Sequence, residues 1–218
     1  MYIIIVGAGR VGQSLIRITT ERGHNVVIID RNEDKCNEVV EKFDVIAICG
    51  DSTIKSILID AGAKKANALV TTTNDDAVNL LTILVGKELG IESLVSLVSQ
   101  PEHALMFRRI GANVMENPAS AVAEYLYRVL QRPSIRDFMS IGGGEAEIFE
   151  IVVTSKAQIL NKPLDDLKLT QKNALIVAIT RDDEIIIPRG NTVVKEGDRV
   201  TVFALARGIE KITRLFTG

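Results

Sequence analysis

A doubly wound parallel α/β sheet followed by a second, smaller α+β domain is the fold that the sequence predicts, on three observations. From Met1 to about Glu116, short Val/Ile-rich runs alternate with segments of helical period, the pattern of parallel β-α units whose sheet is covered on both faces. A glycine-rich turn, Gly7-Ala8-Gly9-Arg10-Val11-Gly12, joins the first run to the first helical segment. Beyond about residue 140 the helical period gives way to strand-like runs, which marks a change of domain.

The elements follow in order. Tyr2–Val6 is the first expected strand, rich in β-branched residues, and a helix over Arg10–Arg22 stops at Gly23. Asn25–Asp30, a helix over Glu33–Phe43 and Val45–Cys49 come next, then a helix over Ile54–Ala61 closed by Gly62. Ala68–Thr72, a helix over Ala77–Leu89 ending at Gly90, Ser93–Val98, a helix over Glu102–Ile110 ending at Gly111, and Asn113–Glu116 complete six strands. Glycine is the expected stop because it adopts the left-handed conformation that ends a helix. A regular βαβ succession with right-handed crossovers makes the doubly wound sheet.

A further helix is expected over Ala119–Leu130, opened by Pro118 and ended before Pro133, with an apolar stripe of Ala119, Val122, Ala123, Leu126, Val129 and Leu130 and a wet side of Glu124, Arg128 and Gln131. Ser140-Ile141-Gly142-Gly143-Gly144 reads as a flexible hinge by composition. Strands are expected at Glu147–Val153, Ala174–Thr180, Glu184–Ile187 and Arg199–Ala204, with Asp182-Asp183 as a tight turn, a short helix after Pro163 and a last helix over Ile209–Phe216. The expected domains are residues 1–134 and 135–218.

The 218 residues are 46% hydrophobic, enough for a sizeable core, and 26 basic against 28 acidic residues leave a net charge of −2. That balance argues against nucleic acid or an anionic membrane as partner. No apolar run reaches the roughly 20 residues of a membrane helix, so the expectation is a soluble, cytoplasmic protein. Cys36 and Cys49 are too few and too widely spaced for a disulfide framework or a zinc knuckle, and both read as ordinary thiols. His24 and His103 are isolated and read as exposed. No metal site and no catalytic residue is expected.

The glycine turn follows a strand and opens a helix, the context in which G-x-G-x-x-G becomes a dinucleotide-binding fingerprint and the sheet Rossmann-like. Gly7 allows the tight turn, Gly9 lets the backbone approach a diphosphate, and Gly12 lets helix pack on strand. Asp30 ends the second strand, where a carboxylate can accept hydrogen bonds from ribose hydroxyls. Asp51, Ser52, Thr72, Thr73 and Asn74 lie at the carboxyl ends of strands three and four, the ligand edge of such a sheet. Ser52 or Thr53, and Asn74 or Asp75, equally suit helix capping. Arg10 adds a guanidinium for terminal phosphates or is a solvated helix residue. Arg31 stacks on an adenine or is simply exposed. There is no Walker lysine loop, no evident nucleophile elbow and no pair of carboxylates with a histidine partner, so the nucleotide reads as bound for signalling rather than consumed.

The glycine turn, Asp30, Gly50-Asp51-Ser52, Thr72-Thr73-Asn74-Asp75 with Asn79, and Gly111-Ala112 before Pro118, continued by Pro163-Leu164, Ala178-Ile179-Thr180-Arg181, Ile187-Pro188 and Gly197-Asp198-Arg199, together resemble the regulator-of-K⁺-conductance family, the TrkA-type subunits of potassium uptake systems. The resemblance covers nearly the whole chain. It implies a non-enzymatic regulator of potassium transport that binds an adenine nucleotide, NAD(H) or ATP/ADP. It further implies dimers assembled into a ring beneath a membrane K⁺-translocating subunit, on the inner face of the cell membrane. The alternative is an NAD(P)-dependent oxidoreductase. Strand five commonly ends in Ala-Arg in that family; here it reads Ser96-Leu97-Val98, which offers no guanidinium for a phosphate.

Overall fold

The computed structural model describes residues 1–218, with the side chains of residues 115 and 116 outside the description. The chain forms two compact units, residues 1–122 and 123–218. The first holds β1 (Tyr2–Val6), α1 (Arg10–Glu21), β2 (Asn25–Asp30), α2 (Glu33–Lys42), β3 (Ile46–Cys49), α3 (Lys55–Asp60), β4 (Ala68–Thr71), α4 (Asp76–Glu88), β5 (Ser93–Val98), α5 (Ala104–Arg109) and β6 (Asn113–Glu116). All six strands are parallel, in the order β3-β2-β1-β4-β5-β6. The direction of winding reverses between β1 and β4, so the loops that leave these neighbours diverge and open a crevice at their carboxyl ends.

Alternation along β1 builds both layers. Ile3 and Ile5 join Ile16 of α1 and Val39 of α2 in one core, while Ile4 and Val6 join Leu58, Ile83 and Phe107 of α3, α4 and α5 in the other. Each isoleucine so buried contributes about 1.5–3 kcal/mol. The doubly wound sheet is as the sequence predicts, with ends shifted by one or two residues, as where a turn at Pro101–His103 precedes α5.

The helix α6 (Pro118–Gln131) spans the division between the units. The second unit continues with β7 (Ile135–Ile141), β8 (Ala146–Val152), β9 (Ala174–Arg181), β10 (Glu184–Ile186), β11 (Arg199–Leu205) and α7 (Ile209–Thr217). Its antiparallel sheet has the order β10-β9-β11-β8-β7. One face buries Phe149, Ile151, Ile176, Val200 and Val202 against Ile209, Ile212 and Phe216 of α7. Asp182 and Asp183 form the expected hairpin turn, both at positive φ (50° and 62°), which matches the twist of the paired strands.

Two expectations fail here. The strand β7 was not foreseen, and Ser140-Ile141 belongs to it rather than to a hinge. Gly142, Gly143 and Gly144, at φ 62°, 67° and 104°, are the tight turn of the β7–β8 hairpin. Glycine there supplies left-handed backbone, not freedom of movement. Arg128 is also no wet-side residue. With Arg132 it clamps the buried Glu147 (2.8 and 3.0 Å), and its guanidinium lies over the Phe138 ring that Tyr125 stacks on.

Two buried carboxylates tie loops to this frame. Asp76 accepts the amides of Ser99 (2.8 Å) and Gln100 (3.0 Å) and meets His103 Nδ1 at 2.8 Å, so His103 is tethered rather than merely exposed. Asp198, 2% exposed, takes both arms of the Arg181 guanidinium at 2.8 Å and the amide of Lys195. Burial alone would raise both carboxyls, but these bonds outweigh it and hold both below the usual carboxylate range. A carboxyl depressed on folding stabilises above its unfolded value, about pH 3.9, and the gain is lost as pH falls through the folded value. We therefore expect Asp198→Asn to cost about 3–5 kcal/mol at pH 7, because Arg181 is left without its counterion, and to cost much less at pH 2. Urea titrations at both pH values check this; an equal loss at both would show that the charge is immaterial.

Candidate functional site

The carboxyl ends of β1, β2, β3 and β4 surround a cavity of about 370 Å³, within the size range of small-molecule sites. Of the residues singled out from sequence, Gly7, Gly9, Asp30, Arg31, Ser52, Thr72, Thr73 and Asn74 line it, while Ala8, Arg10, Val11, Gly12 and Asp51 do not.

The three glycines of the turn have three different reasons to be glycine. Gly7 has φ 99°, and a β-carbon there would crowd Thr72 Oγ1 and the Thr73 amide. At Gly12 a β-carbon would sit 1.9 Å from the Gly7 carbonyl oxygen, so α1 packs on the turn itself. Gly9 has ordinary extended backbone and a β-carbon there would meet nothing within 4 Å. No fold constraint holds Gly9, which lines the cavity and precedes α1.

The N-terminus of α1 carries no side-chain cap. On the same edge, Asn32 caps α2 by accepting from the Lys35 amide, and Asp75 caps α4 by accepting from Ala77 and Val78. The first intrahelical bond of α1 runs from Gln13 to the Gly9 carbonyl, so the amides before it are open to an anion. Arg10 and Val11 are exposed on this first turn.

Other predicted residues hold the frame. The Asp30 carboxylate accepts from the Ala8 amide through Oδ2 (2.7 Å) and the Asn32 amide through Oδ1 (2.9 Å), which fixes the glycine turn while each oxygen keeps a second lone pair. Thr72 donates its hydroxyl to the carbonyls of Val6 and Gly7. Ser52 and Thr53 cap nothing: Ser52 turns inward to share a hydrogen bond with Thr82 at 2.8 Å, and Thr53 bonds Asp51. Asp75, not Asn74, is the cap of α4, which leaves Asn74 exposed at the cavity. Arg31 is paired with Asp51 at 2.8 Å, and that guanidinium, with the Thr53 hydroxyl, lowers the Asp51 carboxyl to about 2.

Sequence reasoning passed over Lys35. It lines the cavity from the first turn of α2, and its place five residues after Asp30 was the available signal. Asn79, fully buried, donates to the carbonyls of Thr73 and Leu97 and accepts from the Thr73 hydroxyl. At the end of β5, Ser96 donates to the Leu97 carbonyl and shares a hydrogen bond with Thr71. Among the described residues, no three or more His, Cys, Asp or Glu side chains gather as a metal site, and no helix is long and apolar enough to cross a membrane.

The site can thus hold an anion on open amides, a hydroxylated group near Asp30 and a flat apolar group against Ile29 and Val78. Two family models match the chain: TrkA-N domain over residues 3–118 and TrkA-C domain over residues 148–217. The Trk system potassium uptake protein TrkA homolog of Methanothermobacter thermautotrophicus is 32% identical over 218 residues, all of both chains. The Archaeoglobus fulgidus homolog is also 32% identical, but there the chain spans half of the relative's length. The structure of the GsuK channel bound to NAD aligns at TM-score 0.63 and 20% identity, over 99% of this chain and 39% of that one. In sequence motifs and in both domain models, the chain belongs to the TrkA family.

Proposed function

We propose that the chain is a nucleotide-binding regulatory subunit that gates a membrane potassium transporter or channel, with residues 1–134 as the nucleotide domain and 135–218 as the regulatory domain. The observation that carries this reading is the uncapped start of α1 beside Gly9, open to a cavity whose rim bears Asp30, Arg31 and Lys35. The diphosphate of NAD(H), ADP or ATP lies on the open amides and the ribose on Asp30. Membership of the TrkA family and the NAD held by GsuK support the same reading. A nucleotide biases the membrane partner only if it binds one conformation of the assembly more tightly than the other.

A thermal-shift panel of NAD⁺, NADH, AMP, ADP and ATP tests the binding. A nucleotide at 100 times its Kd adds about 2.7 kcal/mol of apparent stability, and no shift with any of them would refute the assignment. Oxidation of NADH by candidate substrates would instead favour an oxidoreductase. Potassium flux through the membrane partner should respond to nucleotide; a flux indifferent to nucleotide would refute gating.

Assembly rests on α6. None of its residues is buried in this chain, and Val122, Leu126 and Leu130 are 59%, 56% and 79% exposed. Such a stripe is built for burial, and a second copy related by a two-fold axis supplies the matching face. Leu126→Glu should therefore halve the mass seen by light scattering while leaving circular dichroism unchanged. A wild-type chain that is monomeric at micromolar concentration would end the assembly proposal.

A further inference from the structure

Far apart in sequence and read there as ordinary thiols, Cys36 and Cys49 come together beside the cavity. Cys36 lies in α2 and is 5% exposed; Cys49 ends β3 and is exposed. The Cys36 thiol donates to the Asp30 carbonyl at 3.5 Å, and the Cys49 thiol to the next carbonyl, that of Arg31, at 3.6 Å. Each cysteine also adjoins a lining residue, Lys35 and Gly50 respectively. Burial, and then the neighbouring Cys49, push the Cys36 thiol up to about 11. One thiol is thus accessible and the other shielded and protonated, and both rest on the turn that leaves β2.

We propose that Cys36 and Cys49 are a redox pair whose disulfide, formed by an oxidant of the peroxide class, weakens nucleotide binding; the binding half of this rests on the function proposed above. The Cys49 thiolate attacks one peroxide oxygen, the O–O bond breaks, hydroxide leaves and takes up a proton as water, and Cys49 becomes a sulfenic acid. The Cys36 sulfur then attacks the Cys49 sulfur, the S–O bond breaks, and the departing oxygen leaves as water with the Cys36 proton. Two thiols have lost two hydrogens and one peroxide has become two waters. A dithiol reductant reverses the link by exchange.

The effect on the site follows from lost donors and from distance. A disulfide has no S–H, so the carbonyls of Asp30 and Arg31 lose both thiol bonds, and its geometry draws α2 and the end of β3 together. The Asp30 carboxylate carries the change to the amides of Ala8 and Asn32, which it holds.

The full chain is treated with hydrogen peroxide, freed of it, and compared with the reduced chain. The expected product is lighter by about 2 Da, as loss of two hydrogens requires, is restored by dithiothreitol, and is absent from Cys36→Ser and Cys49→Ser. The backbone amide resonances of Ala8 and Asn32 should move on linkage and return on reduction, whether or not any nucleotide binds. ADP and NAD⁺ should bind the linked chain about tenfold more weakly, about 1.4 kcal/mol. Added oxygens on Cys49 without a link would overturn the pair, and a linked chain with unmoved Ala8 and Asn32 resonances would overturn its coupling to the site. Equal affinity of linked and reduced chains would overturn the switch. A reduced chain that binds neither nucleotide counts against the proposed function instead, and then the link still decides the pair and the resonances its coupling to the site.

Discussion

Gly9→Val should fold as the wild type does and lose nucleotide binding by about 100-fold or more, some 2.7 kcal/mol. Residue 9 has φ −74° and ψ −173°, an extended conformation that valine adopts readily, and the space around its absent β-carbon is empty of protein atoms. The isopropyl group would therefore sit in the cavity, over the open amides of α1, and push a diphosphate off them. The cost to the fold is confined to a poorer helix cap, about 1 kcal/mol. Calorimetric titration with ADP and NAD⁺, beside a urea melt, checks both halves; undiminished affinity in a folded variant would remove the glycine turn as the diphosphate site.

Three residues further on, the smaller change Gly12→Ala should do the opposite. Its methyl carbon would lie 1.9 Å from the Gly7 carbonyl oxygen and 3.1 Å from Thr72 Oγ1. These are not the far ends of flexible side chains. The oxygen belongs to the backbone of the turn and is itself held by the Thr72 hydroxyl, so α1 must move off β1. Overpacking of this kind costs about 1–3 kcal/mol, and backbone against backbone places it at the upper end, about 3 kcal/mol. Glycine turns of this type elsewhere accept alanine at the third position; here the spacing does not. A urea midpoint equal to that of the wild type would contradict the clash.

The parallel sheet was legible because its strands are apolar on both faces and its helices end at glycines, signals carried by neighbouring residues. The β7 strand was not, for a local reason. Asp137, at φ 22°, sits where the pairing with β8 shifts register, so Ile135, Phe138 and Ile141 never fall into strict alternation. The Gly142–Gly144 turn was mistaken for a hinge because composition reports permitted backbone angles and not whether neighbouring strands fix them. At the site, the turn and Asp30 could be named from spacing alone. What Asp51, Ser52 and Thr72 bond to could not, since Arg31, Thr82 and Val6 reach them only through the fold. Lys35 and the meeting of Cys36 with Cys49 were hidden for the same reason: a helix face and a strand end become neighbours only when β2 and β3 pair.

The hydroxyl pair at the ends of β4 and β5 restricts the order in which the sequence can drift. Thr71 and Ser96 are both fully buried, and Ser96 has a second acceptor in the Leu97 carbonyl whereas Thr71, among the described residues, has Ser96 alone. Losing Ser96 first strands the Thr71 hydroxyl in the core, a step costing about 1–3 kcal/mol. Replacing Thr71 first by the isosteric valine leaves Ser96 satisfied, and the later change of Ser96 to alanine strands no donor, while Leu97 still accepts from Asn79. Of the two mutational routes to an apolar pair, only the one that begins at Thr71 avoids a destabilised ancestor, so lineages that have lost the pair should have passed through a valine–serine intermediate.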